Sequence, residues 1–158
     1  LKNRPRNPFL RPIIALLAGI VLLSGCMPPT KAVSQENSMK REVVNVLLAM
    51  QTAYEKGNID QFMVWVHKKY PKRVKFRKEI LKDFAASRDI HLSIVIDQIL
   101  VGDKGADLRV HWYRTWLPYP GTQVVKVEGK ARLLFSLNPV RLYIQKGDKP
   151  FGIPASGA

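Results

Sequence analysis

The spacing of apolar residues changes once along this chain, near Asp89, from a repeat of 3.6 residues to a repeat of two, which places helices first and strands last. From Ser38 onward, Val43, Leu47, Met50 and Tyr54 fall at i, i+4, i+7 and i+11, with Val44 and Leu48 on the same side, so one face of a helix is core. Gly57 supplies a left-handed stop, and Asn58 with Gln61 forms a capping box that starts a second helix at once. Its buried face is Ile59, Phe62, Met63 and Val66, and Pro71 limits it. A third helix is expected from Val74 to Ser87, with Ile80, Leu81 and Phe84 inward.

Past Asp89, Leu92, Ile94 and Ile96 share one face of a strand until the phase slips at Asp97-Gln98, the mark of a bulge. Gly102 to Gly105 turns the chain. Ala106, Leu108, Val110, Trp112 and Trp116 then alternate with Asp107, Arg109, His111, Tyr113 and Thr115, as in a half-solvated antiparallel strand. After the turn Leu117 to Gly121, a third strand carries Val125, Val127, Ala131, Leu133, Phe135 and Leu137 inward; Gly129 in its middle marks a sharp bend. Asn138-Pro139 leads into a last strand, "VRLYIQKG". The expected class is α+β, N-terminal helices packed on a curved four-stranded antiparallel sheet.

The run "IIALLAGIVLLSGC" precedes all of this. Its core, Ile13 to Leu23, is about half the roughly 20 residues a membrane-crossing helix needs. Lys2, Arg4, Arg6 and Arg11 stand before it and small residues after it, the order of a secretory signal. Leu23-Ser24-Gly25-Cys26 resembles the lipobox of bacterial lipoproteins, which implies cleavage before Cys26 and acylation of its thiol. Cys26 is the single cysteine, so an intrachain disulfide is excluded. The resemblance implies a protein held in the cell envelope by two or three acyl chains, and Met27 favours the outer membrane, periplasmic face. The expected divisions are residues 1–25 as signal, 26–37 as lipidated cysteine and linker, 38–152 as the domain and 153–158 as a tail.

Four of the 26 Lys and Arg lie in residues 1–25 and all 12 acidic residues lie beyond, so the remaining 133 residues carry +10. That length suits one domain, and that charge raises encounter rates with anionic partners. In an envelope, these are anionic lipid, an envelope polymer or an acidic protein; nucleic acid is not expected.

"LLAMQTAYEKGNIDQFMVWV", "GDKGADLRVHW" and "GKARLLF" with "VRLYIQKGDKPFG" resemble the opening helix pair, the hairpin and the closing strands of the nuclear-transport-factor-2-like, or cystatin-like, family, across about Ser38 to Gly152. The resemblance implies a cone formed by helices and sheet. Enzymes resembling this family, such as ketosteroid isomerase and the SnoaL-like cyclases, place a carboxylate base or His-Asp pair in the cone. Where that isomerase carries its acid, this chain reads "HKKYPKRVKFRK", without Asp or Glu. No catalytic residue and no cofactor is expected. His67, His91 and His111 are scattered and lack metal-ligand spacing. Asp97 reads as a cap for the bulge or, alternatively, as a base near the cone.

The strongest functional signal is that same stretch: Lys68, Lys69, Lys72, Arg73, Lys75, Arg77 and Lys78 are seven cations among twelve residues, with Tyr70 and Phe76 interleaved. It suits an anionic surface, while interleaved aromatics also suit a nucleic acid; an ordinary solvated helix face is the plainer reading. Trp65, Trp112 and Trp116 read as core and rim. Arg114 shares the inward parity of Trp112 and Trp116, so either the strand leaves the core before it or the three line a cone mouth for an anionic amphiphile. The leading expectation is a non-enzymatic, membrane-tethered binding or assembly module. The alternative is a small-molecule isomerase or cyclase using the cone.

Overall fold

The computed structural model describes residues 30–152. The chain divides into two units, Leu1–Ser34 and Gln35–Ala158, and the second contains the hydrophobic core and the strands found among the described residues. The signal expected over residues 1–25, Cys26 and the tail over residues 153–158 lie outside the described residues.

Helix α1 spans Thr30–Glu55 and so begins inside the segment 26–37 that composition marks as a linker. From Thr30 to Glu55 there is no Gly or Pro to interrupt it, and a Glu36–Lys40 pair at 2.7 Å spans one turn. Its buried side is Val43, Val46, Leu47, Met50, Ala53 and Tyr54. Leu48, expected inward, is 53% exposed because it lies about 140° round the helix from Val43.

Gly57 takes φ +64°, and Asn58 Oδ1 accepts the Gln61 amide at 3.0 Å to start α2, Ile59–Val64. α2 stops well before Pro71. Its C-terminal neighbour strand-pairs instead: Leu142 N donates to Trp65 O at 2.8 Å, His67 N donates to Leu142 O at 2.9 Å, and Val66 bridges Leu142 in parallel. Helix α3, Arg73–Ala86, buries Phe76, Ile80 and Asp83, whereas Leu81 is 38% exposed. Asp83 therefore takes an inward place that hydrophobicity assigns to Leu81.

Four strands, β1 Ser87–Gly102, β2 Gly105–Pro118, β3 Val125–Ser136 and β4 Arg141–Gly147, form a curved antiparallel sheet in sequence order. The slip at Asp97 is a bulge between the Ile96–Val110 and Gln98–Arg109 pairs. One face carries Leu92, Leu108, Val110, Trp112, Leu133, Phe135 and Leu142, all buried against the helices. Each such side chain contributes on the order of 1.5–3 kcal/mol by leaving water. Phe151 closes the core edge-on to Tyr54 and Phe62, at 5.3 and 5.1 Å between ring centroids.

Gly129 pairs with Trp112, and a Cβ there would sit 2.5 Å from Asp148 Cβ and 2.9 Å from Trp112 Cζ2. Close approach requires this glycine. It lets the Trp112 indole N–H donate to Asp148 O at 2.6 Å.

Candidate functional site

Arg114 points into the core with none of its surface exposed. β2 directs it there because inward parity continues unbroken from Ala106. Its Nη2 lies 2.8 Å from Asp83 Oδ1 on α3; its Nη1 donates to Tyr54 Oη at 3.0 Å and to Gly152 O at 3.1 Å. Tyr54 donates to Asp83 Oδ2, Ser87 Oγ donates to Asp83 Oδ1 at 3.2 Å, and Gly152 N donates to Tyr54 Oη at 3.0 Å. Both Asp83 oxygens are thus engaged. The guanidinium carbon lies 4.7 Å from the Trp116 ring centroid and 5.3 Å from that of Tyr54.

Burial pushes the Tyr54 hydroxyl far above the ordinary tyrosine range; the Arg114 charge opposes this and Asp83 reinforces it. Tyr54 therefore keeps its proton and serves as a donor. The network corrects the expectation that the strand leaves the core before Arg114: the guanidinium is buried and paired with Asp83. Trp112 is buried with its N–H satisfied by Asp148, and Trp116 is half-buried against the guanidinium. Both terminal nitrogens of Arg114 are engaged inside the core, while its Nε is buried without a partner among the described residues.

The basic stretch lies on the connection from α2 into α3. Tyr70 and Phe76 are buried and stacked on each other, with centroids 4.6 Å apart and planes at 22°. They cannot stack on bases. Arg73 Nη2 donates to Met63 O at 3.2 Å, and Arg77 pairs with Asp60 at 3.0 Å. Lys75 stands 3.8 Å from Glu79 with 70% of its side chain exposed. Lys68, Lys69, Lys72 and Lys78 are exposed and enter none of the ion pairs among the described residues. The start of the connection is tied to the sheet by the Trp65, Val66 and His67 contacts to Leu142.

Lys72 holds a left-handed conformation, φ 53°, as the N-cap of α3, and no side chain caps that helix. A cleft of about 340 Å³ opens beside it, walled by Tyr70, Lys72, Lys75, Glu79, Gln145 and Lys149.

The histidines do not converge. His111 Nδ1 lies 2.6 Å from Asp97 Oδ1 on the outer face of the sheet, both side chains about half exposed. Asp97 is therefore neither a cap within the bulge nor a group in the cone. His67 meets Tyr143 edge-on at 5.3 Å, and its Nδ1 accepts the Lys69 amide at 3.0 Å; His91 is exposed. Among the described residues no three His, Cys, Asp or Glu side chains gather as a metal site.

Sequence reasoning missed Asp83, Tyr54 as a polar partner, and Gln145. Asp83 carried a signal, since Phe76, Ile80 and Asp83 share a helix face and an inward Arg114 demands a buried acid. Gln145 carried none, because a shift in register between Leu134 and Phe135 turns it inward.

No family model matches the chain, and no curated protein matches it. Solved structures do. A conserved protein from Planctomyces limnophilus aligns at 16% identity and TM-score 0.63 over 69% of this chain and 94% of its own. A nuclear transport factor 2-like superfamily protein from Salmonella enterica aligns at 12% and 0.60 over 77% and 99%, and a ketosteroid isomerase-like protein from Erwinia carotovora at 11% and 0.57 over 66% and 91%. At these identities the likeness is one of fold: the helices and curved sheet form the nuclear-transport-factor-2-like cone.

Proposed function

We propose that this protein is an envelope lipoprotein, tethered through acylated Cys26, whose nuclear-transport-factor-2-like domain binds anionic partners with the basic face at the start of α3. The observation that carries the reading is the solvent-facing set Lys68, Lys69, Lys72 and Lys78, free of acidic partners among the described residues while the neighbouring aromatics are buried. Each lysine near a negative bilayer contributes on the order of 1 kcal/mol within a Debye length. The buried aromatics also weigh against a nucleic acid, which a stacking platform would favour. Membrane attachment rests on Ile13 to Cys26, and Met27 favours the periplasmic face of an outer membrane. Flotation of residues 30–158, which keep the whole core but lack Cys26 and its acyl anchor, with phosphatidylglycerol and with phosphatidylcholine vesicles tests the basic face: binding to both alike would remove it.

The second reading is a small-molecule enzyme of the isomerase or cyclase type. The ketosteroid isomerase-like protein of the same fold supports it, as does the Tyr54–Asp83–Arg114 network, a polar cluster inside the cone. Against it, every oxygen of that network is hydrogen-bonded within the protein and none is exposed to a substrate. Turnover abolished by Asp83→Asn in a chain that remains folded would establish the enzyme.

A further inference from the structure

The cleft beside α3 combines opposite demands. Lys72, Lys75 and Lys149 place three ammonium groups on its walls against the single carboxylate of Glu79. α3 adds its own positive end: the first intrahelical bond is Phe76 N to Lys72 O at 2.9 Å, so the amides of Val74 and Lys75 precede it without a helical partner. No acidic residue occupies the first turn. All this favours an anion.

Gln145 asks for something else. Its side chain lines the same cleft, is 94% buried, and donates from Nε2 to Phe151 O at 3.2 Å, which fixes Oε1 as the free end. That Oε1 has no hydrogen-bond partner among the described residues. A buried amide oxygen without a donor is costly, so it selects whatever brings a hydrogen to it. The Glu79 carboxylate, 3.8 Å from Lys75 Nζ, is a second acceptor in the lining. Tyr70 contributes a phenol that burial pushes up to about 12, against hydrogen bonding from Gln145, and so stays protonated.

We propose that this cleft binds a phosphate ester bearing a free hydroxyl, the phosphate held by Lys72, Lys75, Lys149 and the start of α3, and the hydroxyl donating to Gln145 Oε1. A bare anion of equal charge satisfies only the cationic half. The site deepens the basic-face reading and rests on it for the source of the ester, which is either a lipid headgroup or a soluble compound.

The test follows ¹⁵N shifts of Val74, Lys75 and the Gln145 side chain in the full chain, held in neutral detergent, titrated with glycerol 3-phosphate and with sulfate. Saturable shifts with glycerol 3-phosphate about tenfold tighter than sulfate are expected, the difference a single hydrogen bond supplies. Gln145→Met should bring the two ligands within about twofold while leaving sulfate unchanged. Lys149→Ala, on an exposed residue that does not threaten the fold, should weaken both about three- to tenfold. Equal affinity for the two ligands, or unaltered affinity in Lys149→Ala, would overturn the site. Phosphatidylglycerol vesicles that move the same three signals identify the lipid as source; soluble ester binding without that movement identifies a free phosphate ester. Vesicle binding that moves none of them, with no soluble binding, overturns the cleft and leaves the basic face standing.

Discussion

The Arg114 guanidinium and the Asp83 carboxylate meet at 2.8 Å across the cone, one from β2 and one from α3, with essentially no exposure of either. Desolvating both charges is expensive, and the surrounding bonds from Tyr54, Ser87 and Gly152 offset it. The pair therefore acts as a polar keystone for the helix-to-sheet contact. Removing either partner strands a buried charge. Arg114→Ala and Asp83→Ala should each lose about 3–5 kcal/mol, while the joint change Arg114→Met with Asp83→Leu should lose much less. Urea unfolding measures this; additive losses would show that the pair is uncoupled.

Alkaline pH should weaken the same region. Tyr54 has a folded pKa far above its ordinary value, and Tyr70 is pushed up to about 12, both chiefly by burial. The folded state then holds these protons more tightly than the unfolded chain. Their contribution is whole below about pH 10 and is lost as pH rises through the folded values. A spectrophotometric titration should show two of the five tyrosines ionising late, together with unfolding. Tyr54→Phe should remove one of them.

On the sheet's outer face, Arg132 donates to Asp107 at 2.8 and 3.0 Å, which holds the Asp107 carboxyl below its usual range. A depressed carboxylate stabilises the fold above its unfolded pKa and ceases to do so as pH falls through the folded one. Asp107→Asn should flatten the acid limb of the stability profile and leave neutral stability within about 0.5 kcal/mol, as expected of an exposed pair. An unchanged acid limb would contradict this.

Gly129→Ala should cost about 1–3 kcal/mol, since the new methyl meets Asp148 and Trp112 well inside contact distance. Thermal unfolding checks the loss, and a quenched or shifted Trp112 emission should accompany it.

Charge reversal separates binding from folding. In residues 30–158, which lack the acyl anchor, Lys68→Glu, Lys72→Glu and Lys75→Glu together should reduce co-sedimentation with anionic vesicles by at least about a hundredfold and flatten its salt dependence. These side chains are exposed, so the melting temperature should hardly move. Cys26→Ala should in turn leave an unprocessed, unacylated precursor, read by mass spectrometry of the membrane fraction.

Periodicity made most of the architecture legible. The change of period near Asp89, the Gly57-Asn58 break and the slip at Asp97 all correspond to structural boundaries, because each is a local event with a local residue signature. α1 begins earlier than composition suggests, because Pro28 and Pro29 resemble the start of a polar linker, although a helix tolerates prolines just before it starts. The interior of the cone was less legible. Arg114 declared its direction by parity, but its partner lies on another element, and pairing over such a distance leaves no trace in spacing. Gln145 depends on a register shift between β3 and β4, a consequence of how two strands meet rather than of either strand alone.

Gly152 closes the circuit that begins at Tyr54. Its amide and its carbonyl both serve the buried network, and Phe151 beside it is wedged between two aromatic rings. A ribosome delivers those two residues after every helix and strand of the domain. Until they emerge, Arg114 lacks the Gly152 carbonyl and Tyr54 the Gly152 amide, so a nascent chain ending at Gly147 has all its secondary structure coded but an open seam in its centre. Closure of the core is therefore timed by Phe151 and Gly152, which follow the last strand.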